Sequence, residues 1–276
     1  MYKILNIKEL APKIKWFEVY ASHIAKKAKP GQFIMLIINE SGERIPLTIA
    51  GYDREKGTIS FAVNEVGKTT KQLGLLKEGD YIYNITGPLG NPSEIRKFGK
   101  VLCVAAGIMI APMLLQIKAL REAENEITAV IGARRKDLIF FKEEIKALSH
   151  RLYVATDDGS EGYKGLDFLK EIVVDEKFDR CIVMGPVPTL RAVSEITRPY
   201  KIPTIVSLMP LMVDGMGMCG ACRVFVGGKM KFACVDGPEF DGHLVDYEEL
   251  IRRQRMFLSE ERLSALLWEL GGLKYG

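Results

Sequence analysis

Three of the five cysteines in this chain, Cys219, Cys222 and Cys234, lie close together in a glycine-rich segment. Their spacing, C-x2-C-x11-C, matches part of the plant-type C-x4-C-x2-C…C arrangement that binds a [2Fe-2S] cluster. Asp214 lies five positions before Cys219 and completes this spacing, with a carboxylate where the first thiolate would be. The segment therefore predicts a [2Fe-2S] cluster whose ligands are Asp214, Cys219, Cys222 and Cys234.

Glycines at positions 215, 217 and 220 separate these ligands, as expected of a loop that needs positive φ angles around a cluster. Other interpretations remain open. A structural zinc ion would use the three cysteines with His243 as the fourth ligand, although only the first cysteine pair has zinc-finger spacing. The sequence CGAC also has the C-x-x-C spacing of a dithiol oxidoreductase. For the cluster itself, one alternative is that Asp214 caps a turn while water or His243 completes the coordination.

A second segment suited to chemistry is GKTT at positions 67–70, which precedes a run with helical periodicity. The backbone N–H groups at a helix N-terminus, together with the hydroxyls of Thr69 and Thr70, suit a pyrophosphate, and Gly67 permits close approach. The same residues also suit an ordinary helix capped by threonine. This segment alone leaves both interpretations open.

Two strand-to-helix turns indicate a dinucleotide site. The apolar strand KVLCVAA leads into Gly107 and the sequence IMIAP before a helix, although Gly107 is the only glycine of the dinucleotide fingerprint, so an ordinary turn remains possible. Gly185 and Pro186 follow a later strand. Arg134 and Arg135 follow the strand EITAVIGA, where other dinucleotide folds place the acid that binds a ribose hydroxyl, and suit either a phosphate or solvent.

The rest of the sequence predicts the elements that position these residues. Residues 1–98 contain short strand patterns, such as GQFIMLII and GTISFAVN, and predict a small antiparallel β-barrel. Residues 99–210 alternate apolar strands with helical segments, which predicts an α/β domain with a parallel sheet, closed by the strand IPTIVSL. Residues 211–246 form the cysteine module. Residues 247–276 predict a helical tail that packs on this chain or on a partner.

Composition argues against two classes of partner. The 276 residues carry a net charge of +4 from 39 basic and 35 acidic residues that are interspersed, so we expect no nucleic-acid partner. The chain has no apolar run of about 18 residues and no signal-peptide pattern, so we expect no membrane attachment and a cytoplasmic location. Cys103 and Cys181 lie in apolar runs, where cysteine behaves as a small buried hydrophobic residue.

Taken together, these segments resemble a known family. A barrel followed by AAGIMIAP, GARRKDLIFF, VMGPVPTL and a cysteine loop is similar to the ferredoxin reductase-like electron-transfer subunits over nearly the whole chain. They include the electron-transfer subunit of dihydroorotate dehydrogenase, which carries four cysteines, and the small subunit of the electron-bifurcating NADH-dependent ferredoxin:NADP+ oxidoreductase. Asp214 and the segment GPEFDGHLVD at positions 237–246 resemble the second more closely.

The resemblance implies a β-barrel FAD domain, an α/β nicotinamide domain and a small [2Fe-2S] module. The implied contacts of the FAD isoalloxazine are Pro46, Leu47, Thr48, Ala62, Val63 and Asn64. The implied contacts of the FAD pyrophosphate are Gly67, Thr69 and Thr70. The implied NAD(H) contacts are Gly107, Ala111, Pro112, Arg134, Gly185 and Pro186. No acid–base residue is required for hydride transfer, so no catalytic residue is predicted.

Two positions depart from the family pattern. Many relatives have an arginine three residues before the hydroxyl residue Thr48, but that position is Ile45 here and the arginine is Arg44. Because a shift of one residue along a strand reverses the face, we expect Arg44 to point away from a phosphate. Met109 replaces the second glycine of G-x-G-x-A-P, so we expect a looser approach of the pyrophosphate at that point.

The implied function is electron transfer between NAD(H), FAD and the [2Fe-2S] cluster, to or from a large flavin and iron–sulfur subunit in a heterodimer. Ferredoxin would react through that partner. A flavin is needed because nicotinamide gives two electrons as a hydride, whereas a cluster accepts one at a time. The alternatives are a dihydroorotate dehydrogenase subunit and a flavin-binding electron carrier without nicotinamide activity. Arg134, Arg135 and Lys136 leave the choice between NAD and NADP open.

Overall fold

The computed structural model of the chain describes residues 1–271. Two antiparallel sheets come first and form the predicted barrel, and a mainly parallel seven-stranded sheet follows. A small hairpin carries the cysteine segment, and two helices end the described chain. The order of these parts is the one that the sequence predicted.

The barrel occupies the first third of the chain. Its strands are β1 (Tyr2–Ala11), β2 (Ile14–Tyr20), β3 (Phe33–Ile37), β4 (Arg44–Thr48), β5 (Gly51–Asp53), β6 (Thr58–Asn64), β7 (Tyr81–Ile82) and β8 (Asn84–Leu89), with helices α1 (Ser22–Ala25) and α2 (Lys68–Gly74) between them. One sheet has the order β5-β6-β2-β1-β7 and the other β4-β3-β8. The rings of Phe17 and Phe61 stack with centroids 5.7 Å apart in the core between these sheets.

The parallel sheet follows the barrel. Its strands are β9 (Lys100–Ala106), β10 (Glu126–Ala133), β11 (Arg151–Thr156), β12 (Tyr163–Lys164), β13 (Arg180–Met184) and β14 (Thr204–Ser207). Its helices are α3 (Ile110–Glu122), α4 (Lys142–Leu148), α5 (Leu169–Asp175) and α6 (Val187–Thr197), with 3₁₀ turns at Gly107–Met109, Lys136–Leu138 and Arg198–Tyr200. The strand order is β12-β11-β10-β9-β13-β14, so the winding direction reverses between β9 and β13.

The cysteine segment leaves this sheet after β14 and returns to it. Strands β15 (Arg223–Val226) and β16 (Lys229–Phe232) form a hairpin, and β17 (Glu239–Asp241) then pairs antiparallel with β14. The sequence predicted that β14 would close the sheet, but β17 extends it, with Glu239 opposite Ser207. A three-residue strand with one apolar side chain carries too little pattern to be predicted. Both ends of the cysteine segment are therefore anchored to one sheet.

The two C-terminal helices differ in how they pack. In α7 (Tyr247–Gln254), Tyr247 and Leu250 are buried against the rest of the chain, whereas α8 (Leu258–Glu269) has no buried residue and contacts α2. The prediction that the tail packs on this chain therefore holds for α7. Residues 272–276 of the predicted tail lie outside the described residues. Among the described helices, none is long and apolar enough to cross a membrane.

Cys103 and Cys181 lie on the neighbouring strands β9 and β13 and have no exposed surface. Their side chains belong to different apolar clusters, one on each face of the parallel sheet. Burial raises the pKa of both thiols well above the ordinary value, so both stay protonated at neutral pH. These two cysteines belong to the core, as their apolar surroundings in the sequence predicted.

Candidate functional site

Gly107 and Gly185 lie side by side at the carboxyl end of the parallel sheet. Gly107 follows β9 and Gly185 follows the adjacent strand β13. A Cβ atom on Gly185 would lie 3.1 Å from the Cβ of Ala106, so the two turns are in contact. They border the point where the strand order reverses, which is where open α/β sheets bind ligands. Pro186 is exposed beside this crevice.

Gly107 has a φ angle of +60°, and no described atom lies within 4 Å of the position of an added Cβ. The turn is therefore left-handed and faces open space. The side chain of Met109 is 3% exposed and packs in one apolar cluster with Ala62 of the barrel. Met109 thus fixes the turn against the barrel instead of facing the open space above Gly107. The side chains of Ala111 and Pro112 are buried in α3, so they support this turn from below.

The residues of β4 alternate between two faces. Ile45 and Leu47 pack against the barrel core, whereas Arg44 and Pro46 are exposed and Thr48 is half-buried. Alternation places Arg44, Pro46 and Thr48 on one face of the strand. Arg44 thus shares a face with Pro46 and Thr48, because Ile45 is the residue that turns towards the core; that Arg44 does not bind a phosphate stays a prediction.

The predicted flavin contacts on β6 also divide between two faces. Val63 has no exposed surface and belongs to the barrel core, whereas Ala62 faces the α/β domain and Asn64 is half-buried at the strand end. Val63, and Leu47 on β4, can therefore offer only backbone atoms to a flavin. The side chain of Ala62 is 7% exposed and packs in the cluster that contains Met109, so Ala62 also presents mainly backbone atoms.

The turn before α2 uses its threonines in two ways. The hydroxyl oxygen of Thr70 accepts hydrogen bonds from the N–H groups of Val66 and Gly67, at 3.1 and 3.0 Å, which is a capping role. The Thr69 hydroxyl donates to the carboxylate of Glu43, at 2.5 Å. Lys68 lies 3.8 Å from the other oxygen of Glu43. A phosphate at this turn would compete with Glu43 for Thr69 and Lys68, whereas Thr70 already has its partners.

Arg134 is exposed at the carboxyl end of β10, and the loop after β11 lies against it. The Asp158 N–H donates to the carbonyl oxygen of Arg134 at 3.2 Å, and the Lys136 N–H donates to the Ser160 hydroxyl at 2.9 Å. Arg135 is held by two hydrogen bonds to the carboxylate of Asp137, at 3.1 and 2.8 Å. Of the basic residues here, Arg135 is thus already neutralised within the chain.

The sequence analysis missed the loop at positions 156–162, TDDGSEG. It lies at the same edge of the sheet as the turns after β9, β10 and β13. Its signal was visible as three acids and two glycines directly after an apolar strand. The Asp158 carboxylate accepts the Ser160 N–H at 2.9 Å within this loop, and the loop contacts Arg134 through its backbone.

The four predicted cluster ligands form two pairs. The Sγ atoms of Cys222 and Cys234 are 3.2 Å apart, and both residues are 2% exposed. Asp214 and Cys219 form the second pair, because the Cys219 N–H donates to the Asp214 carboxylate at 2.8 Å and the thiol lies within reach of the same carboxylate. A [2Fe-2S] cluster has two iron atoms, and protein ligands attach to each. Two ligand pairs therefore suit a two-iron cluster.

The cluster loop contacts the barrel at Gly215, which lies between Asp214 and Cys219. Gly215 has a φ angle of +73°, and a Cβ there would lie 2.6 Å from Cγ of Met35 in β3. Only glycine fits that approach. The Ala221 N–H donates to the sulfur of Cys219 at 3.4 Å, and such N–H groups stabilise thiolates in cluster sites. The cluster segment is thus fixed against the strand that pairs with β4.

Electrostatics distinguish the two pairs. Hydrogen bonds from the backbone N–H groups of Met216, Cys219 and Met218 lower the pKa of Asp214, so its carboxylate is ionised at neutral pH. Burial raises the pKa of Cys234 to about 12, and the neighbouring Cys222 and the charge of Asp214 contribute. Cys234 therefore needs a cation nearby before it ionises, which a cluster provides.

The geometry argues against the other interpretations of the cysteines. Within residues 1–271, no three His, Cys, Asp or Glu side chains converge on one point as a mononuclear zinc site requires. Nε2 of His243 lies 3.0 Å from the Thr197 hydroxyl, in a polar network with α6. The closest thiols are those of Cys222 and Cys234, whereas a C-x-x-C dithiol would pair Cys219 with Cys222.

Comparison with known proteins agrees with this site. The family model for the iron–sulfur cluster binding domain of dihydroorotate dehydrogenase B matches residues 210–246, which contain all four predicted ligands. A Thermotoga maritima protein named as a homologue of the dihydroorotate dehydrogenase B electron transfer subunit is 46% identical, over 95% of this chain and 93% of its own length. The chain belongs to the dihydroorotate dehydrogenase B electron transfer subunit family.

One further relative and one solved structure extend this result. A probable dihydroorotate dehydrogenase B electron transfer subunit from Methanocaldococcus jannaschii is 39% identical, over 87% of this chain and 88% of its own length. A solved structure of the NADH-dependent reduced ferredoxin-NADP oxidoreductase, described for flavin-based electron bifurcation, has a TM-score of 0.92 and 43% identity over 98% of both chains. The chain therefore has the ferredoxin reductase-like fold of this family, as the sequence predicted.

Proposed function

We propose that this chain is the flavin- and iron–sulfur-containing electron-transfer subunit of an NADH-dependent oxidoreductase of the ferredoxin:NADP+ type. The observation that carries the proposal is the loop with two ligand pairs, Asp214 with Cys219 and Cys222 with Cys234, seated on the barrel at Gly215. A cluster held by this loop would lie next to β3, the strand that pairs with β4. The full-length similarity to an electron-bifurcating oxidoreductase supports the same assignment.

The chain's residues fit three groups. FAD would lie on the outer face of β4, with Pro46 and Thr48, and against Ala62 of β6. The nicotinamide dinucleotide would cross the crevice between Gly107 and Gly185, and the [2Fe-2S] cluster would bind to the two ligand pairs. When bound, these groups supply hydride transfer and one-electron transfer. The protein's part is to hold the nicotinamide, flavin and cluster sites close together and to exclude water from between them.

We infer that the dinucleotide is NAD(H). Arg135 is held by Asp137, and the loop after β11, which contains the acids Asp157 and Asp158, contacts the backbone at Arg134. A 2′-phosphate would meet these carboxylates, whereas the two hydroxyls of an NAD ribose can donate hydrogen bonds to them. The similar solved structure is that of an NADH-dependent enzyme, which agrees.

We also propose that a large flavin and iron–sulfur subunit covers the exposed edge of the cluster loop. Cys219 is exposed there, and the apolar side chains of Met216 and Met218 beside it are 46% and 85% exposed. Exposed apolar side chains around a redox group are typical of a docking surface. Ferredoxin would react through that subunit. Because none of the five cysteines forms a disulfide in the described structure, we place the complex in the reducing cytoplasm.

Anaerobic addition of NADH tests the proposal. We expect NADH to bleach the flavin absorbance of the purified chain within the mixing time of a manual experiment, and NADPH to do so at least about tenfold more slowly. The reason is that the crevice at Gly107 borders the barrel through Met109. A flavin that dithionite reduces and NADH leaves oxidised would instead indicate an electron carrier without nicotinamide activity.

A second candidate is the electron-transfer subunit of a dihydroorotate dehydrogenase, which the name of the Thermotoga maritima relative favours. The two candidates differ in the partner and, within this chain, at the first ligand position, where Asp214 favours the ferredoxin:NADP+ type. Purification of the complex with its second subunit, followed by addition of dihydroorotate or of reduced ferredoxin with NADP+, separates them. Flavin reduction by dihydroorotate alone would establish the second candidate.

A further inference from the structure

Arg253, in the last turn of α7, contacts the loop that joins the predicted cluster ligands. Its Nη2 atom donates a hydrogen bond to the carbonyl oxygen of Ala221, at 3.1 Å. Ala221 lies between Cys219 and Cys222, one from each ligand pair. The Nε atom of Arg253 is buried and has no partner among the described residues. The guanidinium is thus held at the cluster loop by a backbone contact.

The position of this guanidinium is set by the packing of α7. Asp246 caps the helix by accepting the Glu249 N–H at 3.0 Å, and Leu250 is 1% exposed. The Tyr247 hydroxyl lies 2.8 Å from that of Ser194 in α6. At the other end of the helix, Gln254 donates to the carbonyl oxygen of Met209 at 2.8 Å, just before the cluster loop. The contacts at both ends fix α7, so Arg253 is presented at a defined place.

The charge of Arg253 is not balanced by a nearby acid. Within residues 1–271, no carboxylate forms an ion pair with Arg253, whereas its neighbour Arg252 pairs with Glu249 and is largely exposed. A guanidinium stays protonated at any accessible pH. The C-terminal end of α7 carries a partial negative charge, which the unit charge of Arg253 outweighs. The net field at Ala221 from this helix end is therefore positive.

We propose that Arg253 raises the reduction potential of the [2Fe-2S] cluster. The inference rests on the proposed function, since it requires the cluster. Uptake of one electron adds one negative charge to the site, and a fixed positive charge nearby stabilises that state relative to the oxidised one. Partial burial limits the screening of this interaction by water and salt. Arg253 is thus a positioning residue that acts on the cluster through its charge, without contact with the iron.

A redox titration followed by electron paramagnetic resonance tests this proposal on the full chain. In Arg253→Gln we expect the ratio of reduced to oxidised cluster at a fixed potential to fall about tenfold, equivalent to about 59 mV for one electron. Arg253→Lys keeps the charge, so we expect a potential close to that of the wild type. Arg252→Gln is the matched control in the same helix turn and should leave the potential unchanged.

The outcomes separate a charge effect from a structural one. If Arg253→Gln retains its iron and titrates at the wild-type potential, the proposal is overturned. If Arg253→Gln loses its iron, Arg253→Met, which keeps the apolar stem without the charge, decides. A potential lowered by about 59 mV supports the proposal. A wild-type potential, or loss of iron from this variant as well, refutes it. A wild-type chain without any iron–sulfur signal would refute the proposed function itself, which is a different result.

Discussion

The Asp214→Ala variant is expected to retain less than about half of the wild-type iron, because it removes one of four ligands and leaves one ligand pair incomplete. The Asp214→Cys variant is expected to keep its iron and to titrate at a lower potential. Sulfur donates more electron density to iron than oxygen does, which favours the oxidised state. We expect a change on the order of tenfold in the reduced-to-oxidised ratio, about 59 mV for one electron. Iron analysis and redox titration measure both effects.

A third variant separates ligation from turn formation. The Asp214 carboxylate also accepts hydrogen bonds from the N–H groups of Met216, Met218 and Cys219. Asp214→Asn keeps an oxygen for the turn but loses the negative charge that an iron ligand provides. If Asp214 only shapes the turn, the asparagine variant will hold full iron and the cysteine variant will show an unchanged potential. Both results together would show that Asp214 does not contact the metal.

The Gly107→Val variant is expected to reduce the rate of flavin reduction by NADH at least about 100-fold. A valine side chain would project into the open space beside Gly185, where the dinucleotide is expected to cross. At a φ angle of +60°, a side chain also costs roughly 1–2 kcal/mol of folding free energy. Dithionite should still reduce both flavin and cluster, since neither site includes this residue. Stopped-flow absorbance with each reductant measures the difference.

The matched control for this variant is Gly79→Val. Gly79 has a φ angle of +92°, and no described atom lies within 4 Å of its Cβ position, but it belongs to a turn of the barrel. A valine at position 79 therefore introduces the same kind of backbone strain, far from the crevice. If the two variants slow the NADH reaction equally, the effect of Gly107→Val comes from strain and the crevice is not the dinucleotide site. If Gly107→Val reacts as the wild type does, the same conclusion follows.

The sequence predicted the overall architecture because its patterns are long. Strand alternation in the barrel and the repeat of apolar strand and helix after Lys100 extend over many residues, and tertiary contacts need not correct them. The cysteine spacing was equally informative, since ligands in one loop are close in the fold as well as in the sequence. The pairing of Asp214 with Cys219 and of Cys222 with Cys234 follows from that local geometry.

Other features depend on contacts between distant segments, which one sequence does not reveal. The strand β17 forms only because Ser207 of β14 offers an edge to Glu239. The contact between Arg253 and Ala221 joins residues 32 positions apart. The barrel core determines which side chains of β4 turn inward, so Ile45 is packed and Arg44 is exposed.

Paramagnetic resonance of the NADH-treated chain shows whether electrons from NADH reach a [2Fe-2S] cluster within this chain. The sample is purified anaerobically and analysed for flavin, iron and acid-labile sulfide before NADH is added. We expect about one FAD, about two iron and about two sulfide per chain, and the signal of a reduced [2Fe-2S] cluster after NADH addition. Zinc in place of iron, or a cluster that dithionite reduces and NADH leaves without a signal, would contradict this expectation.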